Sequence, residues 1–405
     1  MKLPLTPPAI VAALLVAFSA PVVHSAERPN ILLIMADDLG YECLGAYGGR
    51  SYETPHLDAL AESGMRFDNC FSTPKCSPSR VTLLTGRYTV RTTMRWGHIP
   101  PDEVTFGHVL GRAGYATALA GKWQLGRIVD DPHRVQRFGF QQSAVWAWHE
   151  GPRYWQPMIY RNDKVMEDVS DRYGPDVYTD FLIDFMKDHR HRPFLAYYPM
   201  CLTHYPKGNE PAPKDRPHLT FAEMVASMDE MVGKLVAALD RLGLRECTLI
   251  IFTADNGSPT SEVSLLGDRK IKGGKAKLTD NGTRVPLIAN CPGTVPAGTI
   301  NDDLIDFSDF LPTLASLAGA DLPQDVTIDG RSFAPQLHGG AGDPREWVFT
   351  EWSGKAWVRD QRWKLYRQGS LYDLQHDPDE KHPLPQDEAQ DVRQRLGKVM
   401  NRLKP

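Results

Sequence analysis

Three short, mainly apolar segments constrain the fold of this 405-residue chain more than any other feature. Residues 29–36, 194–200 and 248–254 are continuous runs that are too short for most helices. Such runs are typical of strands buried on both faces, as in parallel sheets. Segments with helical periodicity separate them. Strands that alternate with helices predict an α/β fold, with a mostly parallel central sheet and helices on both of its faces.

The helical segments are bounded by residues that commonly start or stop helices. Pro312 either kinks the helix predicted over residues 306–318 or marks its true start. The predicted helices cover residues 54–64, 103–113, 176–188, 306–318 and 391–403, together with a long methionine-rich helix over residues 221–242 whose apolar stripe indicates core packing. Beyond about residue 321, shorter strands and turns predict a smaller C-terminal α+β subdomain over residues 321–405, after a main domain over residues 27–320.

Polar side chains follow the predicted strands where each one ends. Asp37-Asp38 follows the segment 29–36, and Lys122 follows a further predicted strand over residues 115–120. His204 follows the segment 194–200, and Asp255-Asn256 follows the segment 248–254. Ligands of such sheets bind beyond the carboxyl ends of the strands, so these residues are expected at one edge. Carboxylate and amide oxygens suit calcium or magnesium rather than zinc. The alternative for the aspartate pair is a helix N-cap with a solvated neighbour.

The segment Cys76-Ser77-Pro78-Ser79-Arg80 predicts a helix start beside an anion site. Pro78 suits the first turn of a helix, and Gly86 is a plausible stop. Cys76 then lies at the helix N-terminus, where free N–H groups favour an anion. Arg80 lies one turn along on the same face. The alternative is an ordinary buried cysteine.

Composition and the N-terminus bear on partners and compartment. The net charge is −4, and no run of Lys or Arg indicates nucleic acid. Residues 1–26 combine a basic start, an apolar centre and a small-residue cleavage site, which predicts a secretory signal peptide and an exported protein. Prolines leave the apolar run too short for a membrane anchor. Six scattered cysteines show no metal-ligand spacing. The disulfide pattern and the oligomeric state are left open.

An aromatic-rich segment over residues 146–155 has two interpretations. It could form a platform on which a sugar or aryl group stacks, or its rings could be buried to anchor a loop. The candidate residues for a pocket rim are His98, Trp146, Trp148, His149 and Trp155.

The chain resembles the type I sulfatases, a family similar in fold to alkaline phosphatase. The segment Cys76–Arg80 with the following Thr85-Gly86-Arg87 looks like the family's signature. Six further segments match family motifs in order: Asp37-Asp38, Gly121–Gly126, Thr203–Pro206, Asp255-Asn256-Gly257, Gly274-Lys275 through Pro286, and Leu371–Leu374 with Asp377-Pro378.

The resemblance implies a sulfate ester hydrolase that acts on a sulfated small molecule or carbohydrate. It implies that a maturation enzyme oxidises Cys76 to formylglycine (3-oxoalanine), whose hydrate is the nucleophile. It also implies a divalent metal, usually calcium. The implied ligands of this metal are Asp37, Asp38, Asp255, Asn256 and the oxidised side chain of residue 76.

The resemblance also implies roles for the remaining candidates. Lys122 and Lys275 would bind sulfate and stabilise its charge. His204 would bind the bridging oxygen and protonate the leaving alcohol, and Arg80 would orient the hydrate. Gln124 departs from the family, most of which carries histidine at that place. Glutamine can bind sulfate or the hydrate, but it does not exchange a proton near neutral pH.

Three alternatives stay open at this stage. Lys272 or Lys277 could take the place of Lys275, because the loop around them departs from the family pattern. The same kind of site could hydrolyse phosphonate or phosphate esters. A non-catalytic binding protein would keep Cys76 as a thiol.

Overall fold

The computed structural model describes residues 28–92, 94–146, 151–206 and 219–403. A ten-stranded mixed sheet lies at its centre, with the strand order β12-β2-β11-β8-β1-β7-β3-β4-β5-β6, and β9 and β10 form a separate hairpin. The strands up to this point of the chain are β1 Asn30–Ala36, β2 Met65–Phe71, β3 Ala116–Lys122, β4 Gln142–Trp146, β5 Ile159–Arg161, β6 Lys164–Val165, β7 Phe194–Pro199, β8 Thr248–Ala254, β9 Val263–Leu266, β10 Arg269–Lys272, β11 Arg284–Asn290 and β12 Thr299–Asp306.

The middle of the sheet is parallel, as predicted. Strand β1 lies between β7 and β8 and is parallel to both, and β3 continues the parallel arrangement beyond β7. All seven residues of β1 and of β8 are buried, which explains their continuous apolar sequences. Strand β11 instead runs antiparallel to both β8 and β2. An apolar run does not encode the direction of a strand, so the antiparallel orientation of β11 was not predicted from the sequence.

Helices cover both faces of the sheet and match the predicted segments with shifted ends. In the described part of the chain they are α1 Pro55–Glu62, α2 Cys76–Thr85, α3 Phe106–Arg112, α4 Arg134–Arg137, α5 Gly174–Asp188, α6 Phe221–Arg241, α7 Asp280–Thr283, α8 Phe310–Ala318, α9 Ala334–Leu337 and α10 Gln390–Arg402. The methionine side chains of α6 are buried, which confirms that its stripe belongs to the core.

Two predicted helices begin later than expected because a capping side chain sets the start. Helix α3 begins at Phe106, since the Thr105 hydroxyl accepts a hydrogen bond from the Gly107 N–H. Before α8, Asp306 caps a 3₁₀ turn over Phe307–Asp309. Pro312 therefore falls in the first turn of α8, where proline is tolerated, and marks the helix start rather than a kink.

The C-terminal segment forms its own antiparallel sheet of four strands, β13 Val348–Trp352, β14 Lys355–Arg359, β15 Trp363–Tyr366 and β16 Leu371–Asp373. Helix α10 packs its buried Leu396 and Met400 in one apolar cluster with Val358 of β14. A second cluster joins Trp357 to Phe71 of the main sheet. The smaller C-terminal α+β unit is thus present, and its boundary at residue 321 stays a prediction.

The predicted signal peptide, residues 1–26, lies outside the described residues, as do Trp148 and His149. Within the described ranges, the structure contains no helix with both the length and the apolarity needed to cross a membrane. No disulfide joins the six cysteines, all of which fall in the described ranges.

Candidate active site

The carboxyl ends of β1 and β8 bring the predicted acidic residues together. These strands are paired in register up to Ala36 and Ala254, so Asp37 and Asp255 are the next residues on each. The Asp38 N–H donates to Asp255 Oδ1 at 3.1 Å, and Asn256 Nδ2 donates to Asp38 Oδ1 at 2.8 Å. All four side chains are buried. The structure therefore places this set at one edge of the sheet.

Cys76 is the first residue of α2 and faces the same edge. The turn before the helix is fixed by the Ser79 hydroxyl, which donates to the Thr73 carbonyl at 3.0 Å and accepts from the Thr73 N–H at 3.1 Å. The Cys76 Sγ and one carboxylate oxygen each of Asp37 and Asp255 lie within 4.8 Å of one another. Burial raises the pKa of the Cys76 thiol, so an unmodified cysteine here is a neutral thiol.

Arg80 ties the cysteine helix to the strand ends. Its Nη2 donates to Asp255 Oδ2 at 2.9 Å, and its Nη1 donates to the Lys122 carbonyl at 3.0 Å. The side chain is 1% exposed, so its charge is balanced inside the protein by the carboxylates of Asp255 and of Asp37, whose Oδ1 lies 3.9 Å from Nη2. Spacing along one helix face is what brings Arg80 beside Cys76.

Two lysines neutralise the aspartate pair. Lys122, the last residue of β3, donates through Nζ to the Asp37 carboxylate, and Lys275 donates through Nζ to the Asp38 carboxylate. The Lys275 N–H bonds the Ser258 carbonyl at 3.0 Å, which fixes its loop. Lys272 and Lys277, the two alternatives, are exposed. The structure thus brings Lys275, rather than either neighbour, to the aspartates.

His204 borders the same cluster. Its Nε2 lies 3.8 Å from Asp38 Oδ2, and its Nδ1 lies 3.2 Å from Arg153 Nη1 and 2.8 Å from the Tyr205 carbonyl oxygen. Burial lowers the pKa of His204 to about 4, although the nearby aspartates oppose the shift. The imidazole is therefore neutral at neutral pH.

Arg153 is a site residue that the sequence analysis missed. It is 2% exposed, and its guanidinium carbon lies 4.5 Å from the centre of the Trp146 ring. The aromatic-rich segment around it was the available signal, but only its aromatic rings were considered as candidates.

The aromatic residues of this segment are packed into the protein. Trp146 is buried, with its indole N–H donated to the Gly151 carbonyl at 2.7 Å, and the Trp155 ring centre lies 4.9 Å from that of Tyr173. These two rings anchor the loop, which was the alternative to a stacking platform. His98 is exposed.

Gln124 lies just beyond β3 with a left-handed backbone conformation, φ 51°. It is 4% exposed, and its Oε1 accepts no hydrogen bond from the described residues. A buried amide oxygen without a donor costs about 1–3 kcal/mol, so this atom is available for a ligand or water.

The charges at the centre act on each other. Burial alone would raise the pKa of the Asp37 carboxyl, but the surrounding cations, Lys122 foremost, hold it well below its usual range. Burial and the neighbouring Asp37 carboxylate raise the pKa of Asp255. Three cations, Arg80, Lys122 and Lys275, thus face three buried carboxylates, and burial remains the main cause that disfavours the ionised form of Asp255.

Two orphaned oxygens, that is, buried acceptors without a hydrogen-bond donor, indicate which ligand the site can hold. Asp37 Oδ1 and Asn256 Oδ1 are buried and accept no hydrogen bond from the described part of the chain. Buried acceptors without donors are costly, and oxygen ligands of this kind are those that hard divalent cations prefer. A divalent cation among Asp37, Asp38, Asp255 and Asn256 fits both these oxygens and the raised pKa of Asp255.

The fold and the position of this cluster define a hydrolase of the alkaline phosphatase-like class. The sulfatase family model matches residues 29–320, and the model for the C-terminal region of N-sulphoglucosamine sulphohydrolase matches residues 274–405. The chain belongs to the sulfatase family. Members of this family generally use a formylglycine and a divalent metal.

Individual relatives agree with this assignment. Bovine arylsulfatase A is 35% identical over 399 residues, covering 87% of this chain and 78% of the relative. N-acetylgalactosamine-6-sulfatase of the dog is 31% identical over 394 residues, covering 85% and 74%. The crystal structure of Ps i-CgsB in complex with k-i-k-neocarrahexaose has a TM-score of 0.79 and 27% identity, covering 93% of this chain and 92% of its own. The protein is therefore an enzyme that hydrolyses sulfate esters.

Proposed function

We propose that this enzyme hydrolyses a sulfate ester on a carbohydrate, using a formylglycine made from Cys76 and a divalent cation, calcium in preference to magnesium. The observation that carries the proposal is the buried group of Asp37, Cys76 and Asp255, whose ligand atoms lie within 4.8 Å of one another beside two orphaned oxygens. The names of the galactosamine sulfatase and of the carrahexaose complex support a sugar substrate.

The cation would be held by Asp37, Asp38, Asp255, Asn256 and the oxidised side chain of residue 76. When bound, the cation supplies Lewis-acid polarisation of a sulfate oxygen, and the formylglycine hydrate supplies the nucleophile. The N-terminus of α2 offers the free N–H groups of its first turn to this nucleophile and to sulfate.

The lysines and Arg80 prepare the site for an anion. Lys122 and Lys275 donate to Asp37 and Asp38. If these carboxylates held a cation, both ammonium groups would be left to donate to sulfate oxygens, where charge develops during the reaction. Arg80 stays bonded to Asp255 and holds residue 76 and the strand ends in one geometry.

His204 is assigned to the leaving group. Its Nε2 faces the cluster, and its Nδ1 meets both a donor, Arg153 Nη1 at 3.2 Å, and an acceptor, the Tyr205 carbonyl oxygen at 2.8 Å. We assign the tautomer with the proton on Nε2, in which Arg153 donates to Nδ1. A neutral Nε2–H can donate a hydrogen bond to the bridging oxygen and pass its proton to the departing alkoxide, a strong base. Arg153 is thus a positioning residue that favours this tautomer, against the Tyr205 carbonyl, which favours a proton on Nδ1.

A matched pair of esters tests the reaction class. We expect the matured enzyme to hydrolyse 4-nitrophenyl sulfate with a kcat/KM at least about 100-fold above that for 4-nitrophenyl phosphate, and Cys76→Ala to lose both activities. The reverse preference would establish the phosphonate or phosphate ester alternative. Absence of both activities, and of sulfate release from N-acetylgalactosamine 6-sulfate, in protein that carries formylglycine would contradict the proposal and leave the binding-protein alternative.

We further propose export through the predicted signal peptide over residues 1–26. The support is its basic start, apolar centre and small-residue cleavage site. N-terminal sequencing of the protein from its native host tests this, with a mature N-terminus near residue 27 as the expected result. A mature protein that begins at Met1 would contradict it.

A further inference from the structure

A cavity near the active site is lined by charged side chains that the reaction does not use. It has a volume of about 520 Å³ and lies between the β9–β10 hairpin, the segment around α7 and the loop that follows β16. Lys270 and Lys272 of the hairpin, Arg284 and Tyr41 contribute to its wall. The cavity therefore joins the main domain to the C-terminal sheet.

The wall of this cavity is strongly cationic. Seven of its lining side chains are Lys or Arg and three are Asp or Glu, whereas the whole chain has a net charge of −4. A concave wall of one sign focuses the electrostatic field and concentrates ligands of the opposite sign. The charge of the cavity is thus a local feature that predicts an anionic ligand.

The three acidic residues of the wall are already engaged. Asp280 accepts from Arg359 at 2.5 Å, and Glu380 accepts from Lys364 at 2.9 Å. Asp379 pairs with Arg269 at 2.8 Å and with Lys381 at 2.9 Å. The acids therefore neutralise other cations of this region.

Three cations of the wall are left without a carboxylate. Among the described residues, no carboxylate oxygen lies within 4.0 Å of the side-chain nitrogens of Lys270, Lys272 or Arg284. Both lysines are exposed to solvent, and Arg284 instead donates to the Asp68 carbonyl and lies over the Tyr41 ring at 4.4 Å. Their charges are available to a ligand.

The cavity lies close to the catalytic centre at two points of the chain. Lys272 is three residues from Lys275, whose ammonium group binds the Asp38 carboxylate, and Tyr41 is three residues from Asp38. Three residues span at most about 11 Å, so both points of the wall lie within that backbone distance of the centre. A neighbouring sugar of an oligosaccharide can cover such a distance.

We propose that this cavity is an anionic-sugar subsite, which binds a second sulfated residue of an oligosaccharide while the first is hydrolysed. The inference rests on the proposed function and deepens it. Lys270 and Lys272 contact the second sulfate, and Arg284 backs them from the cavity wall. The enzyme accordingly favours oligosaccharides with several sulfates over esters with one.

The test compares two charge reversals of equal size. The double variant Lys270→Glu/Lys272→Glu changes the cavity, and Lys164→Glu/Lys187→Glu changes two exposed lysines elsewhere. Calorimetry on a Cys76→Ala background measures binding of a heparin-derived tetrasaccharide and of its chemically desulfated form. We expect the cavity variant to weaken binding of the sulfated probe roughly tenfold, the control to change it less than about twofold, and the desulfated probe to bind neither protein measurably.

A second arm separates this inference from the proposed function. With 4-nitrophenyl sulfate, which has one sulfate and no second sugar, the cavity variant is expected to keep the wild-type kcat/KM. If the wild type hydrolyses this ester but both double variants bind the tetrasaccharide equally, the inference is wrong and the proposed function stands. If the wild type hydrolyses neither this ester nor a sulfate ester of the tetrasaccharide, the proposed function fails, and the calorimetry still decides whether the cavity binds sulfated sugars.

Misfolding of the variant and binding of an anion that is not a sugar each have a control. Should the charge reversal prevent folding, Lys270→Gln/Lys272→Gln replaces it, with an expected loss of roughly threefold in affinity for the sulfated probe. Tripolyphosphate serves as an anion without a sugar. Binding of tripolyphosphate as tight as that of the tetrasaccharide would overturn the assignment to a sulfated sugar.

Discussion

The clusters of buried charge around Asp280 and around Asp37 differ in how completely their oxygen atoms are hydrogen-bonded. In the cluster around Asp280, its two carboxylate oxygens accept from Arg359 at 2.5 Å and from Lys364 at 2.9 Å. Glu380 accepts from Lys364 at 2.9 Å and from the Tyr366 hydroxyl. Every carboxylate oxygen of this C-terminal cluster therefore has a donor from the protein itself.

The cluster around Asp37 is built from the same residue types but is left incomplete. Asp37 Oδ1, Asn256 Oδ1 and Gln124 Oε1 accept no hydrogen bond from the described residues. The pKa of Asp255 is raised by burial and by Asp37, whereas that of Asp280 is lowered, because Arg359 and Lys364 outweigh the effect of burial. Buried charge holds the fold together where it is fully paired, and it marks a ligand site where it is not.

The largest expected effect is on activity at the incomplete cluster. Asp255→Asn keeps the shape and the Arg80 contact but removes a negative charge, so we expect kcat/KM for 4-nitrophenyl sulfate to fall by about 10³ or more. Stability should respond differently. A raised pKa means that the ionised carboxylate disfavours folding above pH 4, so the metal-free variant should unfold at the same denaturant concentration or a higher one. A strongly destabilised variant would contradict the comparison.

The next effect is on stability at the complete cluster. Asp280→Asn leaves Arg359 without a counter-charge and Lys364 with that of Glu380 alone. We therefore expect the free energy of unfolding to fall by about 3 kcal/mol, while the folded fraction keeps its activity on 4-nitrophenyl sulfate. Denaturant unfolding and a kinetic assay at low temperature measure the two. Loss of activity without loss of stability would reverse the assignment of the clusters.

The pH dependence of the stability loss in Asp280→Asn tests whether the charge of Asp280 causes it. The pKa of Asp280 is lowered from 3.8 in the folded protein, so its carboxylate stabilises the fold above about pH 4, and this contribution is lost as the pH falls further. The difference in stability between wild type and Asp280→Asn should therefore shrink on acidification below about pH 4. A difference that is independent of pH would indicate packing rather than charge.

A smaller effect is expected when divalent cations are removed. A chelator should lower the melting temperature of the wild type, because a cation at 100 times its dissociation constant stabilises the fold by about 2.7 kcal/mol. Calcium should restore more of the loss than magnesium, and Asp255→Asn should respond less to both. An unchanged melting temperature in the wild type would show that the incomplete cluster holds no cation.

The smallest effect concerns Gln124. We expect Gln124→His to keep kcat/KM at pH 7 within about threefold and to add an ionisation near pH 6.5 to its pH profile. The pH dependence of kcat/KM on 4-nitrophenyl sulfate measures this, with Gln124→Met as a control that adds no titrating group. Failure of the histidine variant to fold would show that the pocket is shaped around glutamine at φ 51°.

Much of this comparison was accessible from sequence, and the reasons are physical. Buried strands β1, β7 and β8 have continuous apolar sequences, and polar residues at their ends had to meet at one edge of the sheet. Local signals also fixed α2, from its proline near the start to Gly86 at φ 68°. These features depend on neighbours in sequence and on periodicity.

What the sequence missed depends on contacts between distant residues. The antiparallel direction of β11 comes from its partners β8 and β2, which its own residues do not encode. Arg153 reaches His204 across 51 positions, and Lys364 reaches Asp280 across 84. The Asp280 cluster, and the cationic cavity above it, therefore emerged only from the folded structure.

Mass spectrometry of the Cys76–Arg80 tryptic peptide, from protein made in its native host, tests the central claim most directly. The account predicts a mass deficit that matches replacement of the cysteine CH₂SH group by CHO, because the proposed reaction requires an oxidised residue 76 beside Asp37 and Asp255. An unmodified cysteine throughout the active preparation would contradict it.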